Sequence, residues 1–247
     1  MPNESFQSSD LQSRTTLALR NINKMHFRDR ADAGRFLATS LAAWRGRPDL
    51  LVLALPRGGV PVGYEIAEAL LAPLDVFVVR KLGVPGHEEL AMGAVASGGT
   101  RVLNPEILDA LGRYAQDAIE EATERESQEV ERRDEHYRGA RPFPDVHNKI
   151  VILVDDGLAT GATMRAAARA LRARKPARLI IAVPVAAEAI CAEMQKEADE
   201  VVCGMLPHDF FGVGQFYEDF RQTSDDEVRR LLACAADGEA RRGRPNE

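Results

Sequence analysis

Residues 151–163 of this 247-residue chain read VILVDDGLATGAT. The first four residues of this stretch are apolar, and three of them are β-branched, which is typical of a buried strand. Two acids, Asp155 and Asp156, follow directly, and small residues then lead to a helix that begins near residue 162. The pattern predicts a strand, a loop and a helix in immediate succession.

The loop of this stretch combines two kinds of ligand-binding group. Adjacent residues that leave a strand cannot both point into the core, so at least one carboxylate must face a crevice. An ionised carboxylate there is a strong acceptor for the hydroxyls of a sugar. The small residues 159–163 allow backbone N–H groups to converge on an anion, with help from two threonines and the positive end of the next helix. Together these groups indicate a sugar phosphate ligand.

Apolar runs alternate with helical patterns along most of the chain. The predicted strands cover residues 50–55, 76–79, 150–154, 179–185 and 201–203, and the predicted helices cover residues 30–44, 61–70, 162–174 and 187–197. Strands that are apolar on both faces indicate a parallel sheet with helices on both sides. Such sheets bind ligands at the carboxyl ends of their strands, where the unusual loops of this chain lie. The fold class is therefore α/β.

Several segments stand apart from this alternation. Residues 1–24 are polar and predict a loose extension, so the folded unit is expected to span residues 25–235, with a polar tail at 236–247. Residues 105–141 carry eleven acids against six arginines and predict a solvated helix over the core, with a lid as the alternative. Residues 83–99 contain five glycines and predict a mobile loop that closes over substrates.

Composition and charge exclude several classes of function. The formal net charge is −6, so the chain has no global attraction to nucleic acid or anionic lipid. An arginine-rich segment near Arg28 and Arg30 is weak support for nucleic-acid binding, since no aromatic and basic platform accompanies it. The sequence shows no membrane-spanning run and no secretory signal. Three cysteines without metal-like spacing favour reduced thiols and a cytoplasmic location.

Two familiar phosphate-binding loops fit residues 151–163 poorly. A nucleoside triphosphatase loop would end in Gly-Lys-Ser or Gly-Lys-Thr, which is missing from this stretch. A dinucleotide-binding site would have a glycine-rich turn directly after its first strand, whereas acids come first in this loop.

Residues 151–163 instead resemble the phosphoribosyl diphosphate (PRPP) signature of the type I phosphoribosyltransferases, and the resemblance covers most of residues 25–232. It implies a doubly wound, mostly parallel sheet with a helical hood that selects the second substrate. It also implies Mg²⁺ as cofactor, with Asp155 and Asp156 as catalytic residues that hold the ribose hydroxyls. The ribose phosphate would be bound by Ala159, Thr160, Gly161, Ala162 and Thr163.

The same resemblance assigns the diphosphate to two further places. The turn after the first strand, with Arg57, Gly58 and Gly59, matches a diphosphate loop that sometimes contains a cis peptide. Lys81 follows the second strand, where the family often has a basic residue. A plain strand-to-helix turn and a solvated rim are the respective alternatives.

An aromatic-rich segment within residues 206–222 is similar to the base-stacking hood of the hypoxanthine-guanine enzymes. The resemblance implies that Phe211 stacks on a planar ring and that Glu218 or Asp219 helps to hold magnesium, beside the two loop acids. The alternative is a hydrophobic clasp that anchors the carboxyl-terminal helix.

Ala159 departs from the purine-salvage enzymes, which usually carry an acid at this position to handle the ring proton of the base. The resemblance therefore implies pentosyl transfer from PRPP to a nitrogenous base or related acceptor, in nucleotide metabolism, without naming the acceptor. A PRPP sensor without catalysis is the alternative, and homo-oligomerisation is left open. Uncharacterised bacterial proteins with Arg-Gly-Gly-Val-Pro and Asp-Asp-Gly-x-Ala-Thr-Gly are the most similar subset.

Overall fold

The computed structural model describes residues 26–112 and 115–242. Within these ranges the chain forms eight strands and seven α-helices. The strands are β1 (Leu50–Ala54), β2 (Leu74–Val76), β3 (Val79–Val84), β4 (His87–Ala96), β5 (Thr100–Leu103), β6 (Ile150–Val154), β7 (Arg178–Val185) and β8 (Glu200–Met205). The helices are α1 (Arg30–Ser40), α2 (Gly59–Leu70), α3 (Pro105–Leu111), α4 (Ala115–Arg138), α5 (Ala162–Ala173), α6 (Glu188–Met194) and α7 (Asp225–Arg242).

The central sheet contains five parallel strands in the order β2-β1-β6-β7-β8. Every residue of β1 and β6 is buried. Because side chains alternate along a strand, Val151 and Leu153 pack with α5 and α6, whereas Ile152 and Val154 pack with α1, α2 and α7. Helices therefore cover both faces, and the predicted doubly wound α/β fold is confirmed.

Three antiparallel strands form a second sheet in the order β3-β4-β5. Residues 83–99 do not form the predicted loop, because most of them lie in β3 and β4. Their closure over substrates stays a prediction. One of the glycines has a packing role: a Cβ at Gly93 would lie 2.3 Å from the Val102 carbonyl oxygen of the paired strand. Glycine is therefore required at this position because the two paired strands lie too close for a side chain.

The charged segment, residues 105–141, folds mainly as α3 and α4. Helix α4 packs against β3, β4 and α7, and its buried apolar side chains include Ile119, Val130 and Tyr137. The remaining surface is largely polar and exposed. The segment thus forms a helix that lies over the antiparallel sheet with a polar outer face, in agreement with the predicted solvated helix, and its role as a lid stays a prediction.

Arg138, the last residue of α4, forms a buried ionic network. Its Nε donates to Asp75 Oδ1 at 2.8 Å, one Nη donates to the Val76 carbonyl at 2.8 Å, and the other lies 3.0 Å from Asp134 Oδ1. Burial raises the pKa of Asp75, and the Arg138 charge opposes that rise. One arginine therefore connects the charged helix to the edge strand of the central sheet.

The cysteines depart from the expectation of reduced thiols. Cys191 of α6 and Cys203 of β8 form a disulfide, and Cys234 is free and exposed. Their separation of 12 residues carries no recognisable pairing signal. The two residues meet because α6 folds back over the strand that follows it.

The predicted amino-terminal extension, residues 1–24, lies outside the described residues, and so do residues 243–247 of the predicted tail. Residues 236–242, predicted as tail, belong to α7. None of the described helices has both the length and the apolar character needed to cross a bilayer.

Replacing Arg138 with methionine should lower the free energy of unfolding by about 3 kcal/mol, because Asp75 would keep a buried charge without its cation. Urea denaturation followed by circular dichroism measures the loss. Arg125→Met, at an exposed arginine of the same helix, should change stability by less than about 0.5 kcal/mol. Equal losses in the two variants would contradict the role assigned to Arg138.

Candidate active site

Two loops meet at the carboxyl edge of the central sheet. Strands β1 and β6 are neighbours in register, with Ala54 opposite Val154, so the residues that follow them emerge side by side. A Cβ at Gly58 would lie 2.1 Å from Asp156 Oδ2, and one at Gly59 would lie 2.8 Å from the Val154 carbonyl oxygen. Only glycine permits this approach. The structure therefore brings the predicted diphosphate turn into direct contact with the predicted sugar-binding acids.

The turn after β1 has the backbone geometry that the family resemblance anticipated. The peptide bond between Pro56 and Arg57 is cis. Leu55 N donates to the Val154 carbonyl at 2.9 Å, and Gly59 N donates to the Leu55 carbonyl at 3.0 Å. These bonds fix the turn against the end of β6.

Asp155 and Asp156 are held differently, although they are adjacent in the chain. Asp155 Oδ1 accepts the backbone N–H of Asp156 at 2.9 Å, whereas Asp156 Oδ2 accepts the Nε–H of Arg30 at 2.8 Å. Burial, and then the neighbouring Asp156 charge, raise the pKa of Asp155 well above its usual range. Burial also raises the pKa of Asp156, but Arg30 opposes this shift. Arg30 therefore favours the ionised form of Asp156 in particular.

Arg30 is a residue of the candidate site that was not predicted from the sequence, where its arginine-rich segment gave only weak support for nucleic-acid binding. It is the first residue of α1, whose start is fixed by Asp29, which accepts the Asp32 N–H at 2.7 Å. One Nη of Arg30 donates to the Arg221 carbonyl at 2.7 Å, and the guanidinium lies 4.0 Å from the centroid of the Phe220 ring. Its partner Asp156 is 126 residues away, so no local pattern announces the contact.

Tyr217 is a second residue that joins the site without having been predicted. Its hydroxyl donates to the Asp156 carbonyl at 2.7 Å. Burial and the nearby Asp156 charge raise the pKa of Tyr217, so the phenol stays protonated and remains a donor. The only available signal was its place in an aromatic-rich segment, because a buried tyrosine hydroxyl usually has a polar partner.

The loop of residues 157–163 contacts β7 and α6 on one side and is exposed to solvent on the other. Leu158 N donates to the Val185 carbonyl at 2.9 Å, and Gly161 has φ 68° directly before α5. A Cβ at Gly161 would lie 2.8 Å from Ile190 Cγ2 of α6, so both space and backbone conformation require glycine there. The exposed residues of the loop are Ala159, Thr160 and Thr163. The amino-terminal end of α5 and the predicted phosphate-binding residues thus reach solvent at the same edge.

Two predicted diphosphate ligands lie in separate surroundings. Arg57 extends toward α7, where its Nη1 is 3.8 Å from Asp225 Oδ1. Lys81 lies in β3, opposite Ala94, and lines a cavity between the hairpin and α4. The described residues that line this cavity include none from the acid loop. The contact of Lys81 with diphosphate stays a prediction.

The aromatic segment is divided between two roles. Phe210, Phe216 and Tyr217 pack in a cluster with Phe27 and Phe36, which resembles the predicted clasp but holds the amino-terminal segment. Phe211 is 92% exposed, on the segment whose Val213 touches Gly157. Its ring is therefore exposed, two residues from a side chain that contacts the acid loop.

Magnesium, which the family resemblance implies, fits the acid pair. Mg²⁺ at such sites is usually held by one or two carboxylates, by substrate oxygens and by water. Asp155 Oδ2 and Asp156 Oδ1 take no part in the hydrogen bonds described above, so each carboxylate has an oxygen to offer. Glu218 is exposed beside Arg28, and among the described residues no three His, Cys, Asp or Glu side chains form a metal-binding group. The structure thus gives Glu218 no contact that supports the predicted metal role.

Comparisons with known proteins agree with this geometry. Two curated Mycobacterium tuberculosis proteins, from strains CDC 1551 / Oshkosh and ATCC 25618 / H37Rv, are each 49% identical over 207 residues, and their names assign them provisionally to the phosphoribosyl transferases. The alignment covers 83% of this chain and 46% of theirs, so the chain spans about half the length of these relatives.

A solved structure of similar size is also related. The crystal structure of TT1426 from Thermus thermophilus has 42% sequence identity and a TM-score of 0.77, and the match covers 84% of this chain and 98% of that one. The family profile described as the phosphoribosyl transferase domain matches residues 29–221. This chain belongs to the phosphoribosyl transferase domain family.

Proposed function

We propose that the protein transfers the phosphoribosyl group of PRPP to a nitrogenous base or related acceptor and releases diphosphate. The observation that carries this proposal is the contact between the acid loop and the glycine turn, where Gly58 approaches Asp156 closely. PRPP is a ribose with a phosphate at one end and a diphosphate at the other. It matches an arrangement in which two carboxylates lie between two turns that offer backbone N–H groups. Membership of the family supports the same reaction class.

In this proposal Asp155 and Asp156 act on the sugar. As diphosphate leaves, positive charge develops on the anomeric carbon and the ring oxygen of the ribose. Carboxylates fixed beside the hydroxyls of that sugar would stabilise the charge electrostatically. Magnesium, when held by these carboxylates and the ligand, would supply charge neutralisation at the diphosphate.

The phosphate of the ribose is assigned to residues 159–163. Residues 159–161 precede α5, which begins at Ala162, and a helix that begins at a small-residue loop offers N–H groups and a positive dipole end to an anion. Thr160 and Thr163 are exposed at this position and can donate their hydroxyls. This assignment requires no basic side chain in the loop.

The acceptor is proposed only by chemical class. The exposed ring of Phe211 suits stacking on a planar heterocycle. Ala159 has no ionisable group, so a proton on such an acceptor would have to leave by another route. This feature also supports the second candidate function, a protein that binds PRPP without catalysis.

A calorimetric titration with PRPP and magnesium tests the proposal directly. We expect saturable heat, and we expect diphosphate release when a panel of nucleobases is added. Binding without release, across the whole panel, would favour the sensor. Absence of heat and of any thermal shift at saturating PRPP would overturn both candidate functions.

Asp156→Asn should reduce the rate of diphosphate release by roughly a hundredfold while it weakens PRPP binding much less, because the lost charge acts mainly in the transition state. Release kinetics and calorimetry on the same preparation give the two quantities. Asp145→Asn alters an exposed acid before β6 and should leave both unchanged. Equal losses of affinity and rate would argue against a catalytic role for Asp156.

The pH dependence of PRPP binding should change when Arg30 is replaced by glutamine. Ribose hydroxyls bind best to ionised carboxylates, so binding falls as the pH drops through the raised pKa of Asp156. Removing Arg30 removes the cation that opposes this rise, so the loss of binding should begin at a higher pH. Calorimetry over a pH series measures the midpoint.

Arg35→Gln is the matched control for this measurement, because Arg35 lies on the same helix and pairs with Glu65 at 2.9 Å. We expect its midpoint to equal that of the unaltered protein. A midpoint that stays in place in Arg30→Gln would show that Arg30 does not control the ionisation of Asp156.

A further inference from the structure

A small cavity beside the glycine turn is lined by an unusual concentration of basic groups. It measures about 170 Å³ and lies where the turn after β1 approaches the end of α4 and the start of α7. Its lining residues within the described ranges are Arg57, Arg132, Arg133, His136, Tyr137 and Asp225. Three arginines and a histidine thus surround a space in a chain whose net charge is −6.

The arginines of α4 are positioned by their own helix. Glu129 accepts the Nε–H of Arg133 at 2.6 Å and the Nε–H of Arg132 at 2.8 Å. Each guanidinium has five N–H donors, so these bonds orient the side chains and leave further donors for a ligand. Glu129 therefore positions Arg132 and Arg133. The three arginines of the cluster still outnumber its two acids, Glu129 and Asp225.

Asp225 is the single acid that lines the described part of this cavity, and its contacts resemble those of a bound anion. Its Oδ1 accepts the Tyr137 hydroxyl at 2.6 Å and lies 3.8 Å from Arg57, while its Oδ2 is 4.0 Å from His136. The Tyr137 hydrogen bond, followed by Arg57 and His136, lowers the pKa of Asp225. A carboxylate therefore already uses the donors that an external oxyanion would need.

The cavity is separate from the acid loop. The described residues that line it come from the turn after β1, from α4 and from α7, and include neither Asp155 nor Asp156. Arg57 is the shared element, since its side chain lines the cavity while the next residue, Gly58, abuts Asp156. A ligand there would contact the same turn that the proposed function assigns to diphosphate, by way of different side chains.

We propose that this cavity is an anion site for a phosphate or diphosphate group, in which Arg57, Arg133 and His136 bind the ligand and the Asp225 carboxylate competes with it. Forked guanidinium donors match the oxygens of phosphoryl groups. The source of the anion is either the diphosphate released by the proposed reaction or free phosphate. In the first case the inference rests on the proposed function, and in the second it stands alone.

Titration of inorganic diphosphate and inorganic phosphate, each without PRPP, tests the site. Arg133→Gln should weaken anion binding about fivefold or more, because it removes a charge-assisted donor. Asp225→Asn should tighten binding about threefold or more, because the internal competitor loses its charge. His136→Gln provides a second weakening variant at a different, half-exposed position.

Asp226→Asn is the matched control, since Asp226 also lies in the first turn of α7 and is 84% exposed, but does not line the cavity. It removes the same charge from the same helix end, so it should leave anion binding unchanged. The proposal is overturned if Asp225→Asn binds no tighter than Asp226→Asn, or if neither Arg133→Gln nor His136→Gln weakens binding.

The variant Asp156→Asn separates this site from the acid loop. We expect it to retain binding of inorganic diphosphate, and loss of that binding would place the anion at the acid loop and contradict the inference. Binding of diphosphate but not phosphate assigns the cavity to the leaving group, and binding of phosphate at least as tight as that of diphosphate assigns it to free phosphate. Failure of PRPP itself to bind would remove the proposed function but leave these titrations interpretable.

Discussion

Two adjacent carboxylates at the end of a fully buried strand determine how the segments around the candidate site are arranged. Taking both charges out of water is unfavourable unless each is hydrogen-bonded or paired. The fold supplies a backbone N–H for Asp155 and the Arg30 guanidinium for Asp156. It also requires glycine at position 58, because any side chain there would collide with the Asp156 carboxylate. The start of α1, the glycine turn after β1 and the aromatic segment each place one residue against Asp156, namely Arg30, Gly58 and Tyr217.

Much of the architecture could be predicted from local patterns. The strand, acid pair and small-residue loop of residues 151–163 identified the sheet edge that carries the candidate site, and apolar runs located four of the five strands of the central sheet. The remaining run, residues 76–79, overlaps β2 only at Val76. These signals are local because burial on both faces and a strand-to-helix turn restrict residue types within a short window. The glycine turn was recognised for the same reason.

What could not be predicted depends on contacts between distant parts of the chain. Arg30 and Tyr217 reach Asp156 across 126 and 61 residues, and no periodicity encodes such a meeting. Glycines in residues 83–99 suggested mobility, but in β4 a glycine allows two strands to touch. The side chain of Arg57 extends toward α4 and α7, a direction that no local pattern indicates, and its contact with diphosphate stays a prediction.

The pairing of Phe27 with Tyr217 has a consequence for how the protein is made. Phe27 N donates to the Phe216 carbonyl at 2.8 Å, and Glu218 N donates to the Phe27 carbonyl at 2.8 Å, so an early segment can pair only with one synthesised almost two hundred residues later. Translation proceeds at roughly 5–20 residues per second, so Asp155 and Asp156 leave the ribosome before Tyr217 and Phe220 do. Until those two aromatic residues have been synthesised, they cannot pack against Arg30 beside the acids. The candidate site therefore acquires its final form only after residues 216–220 have been synthesised.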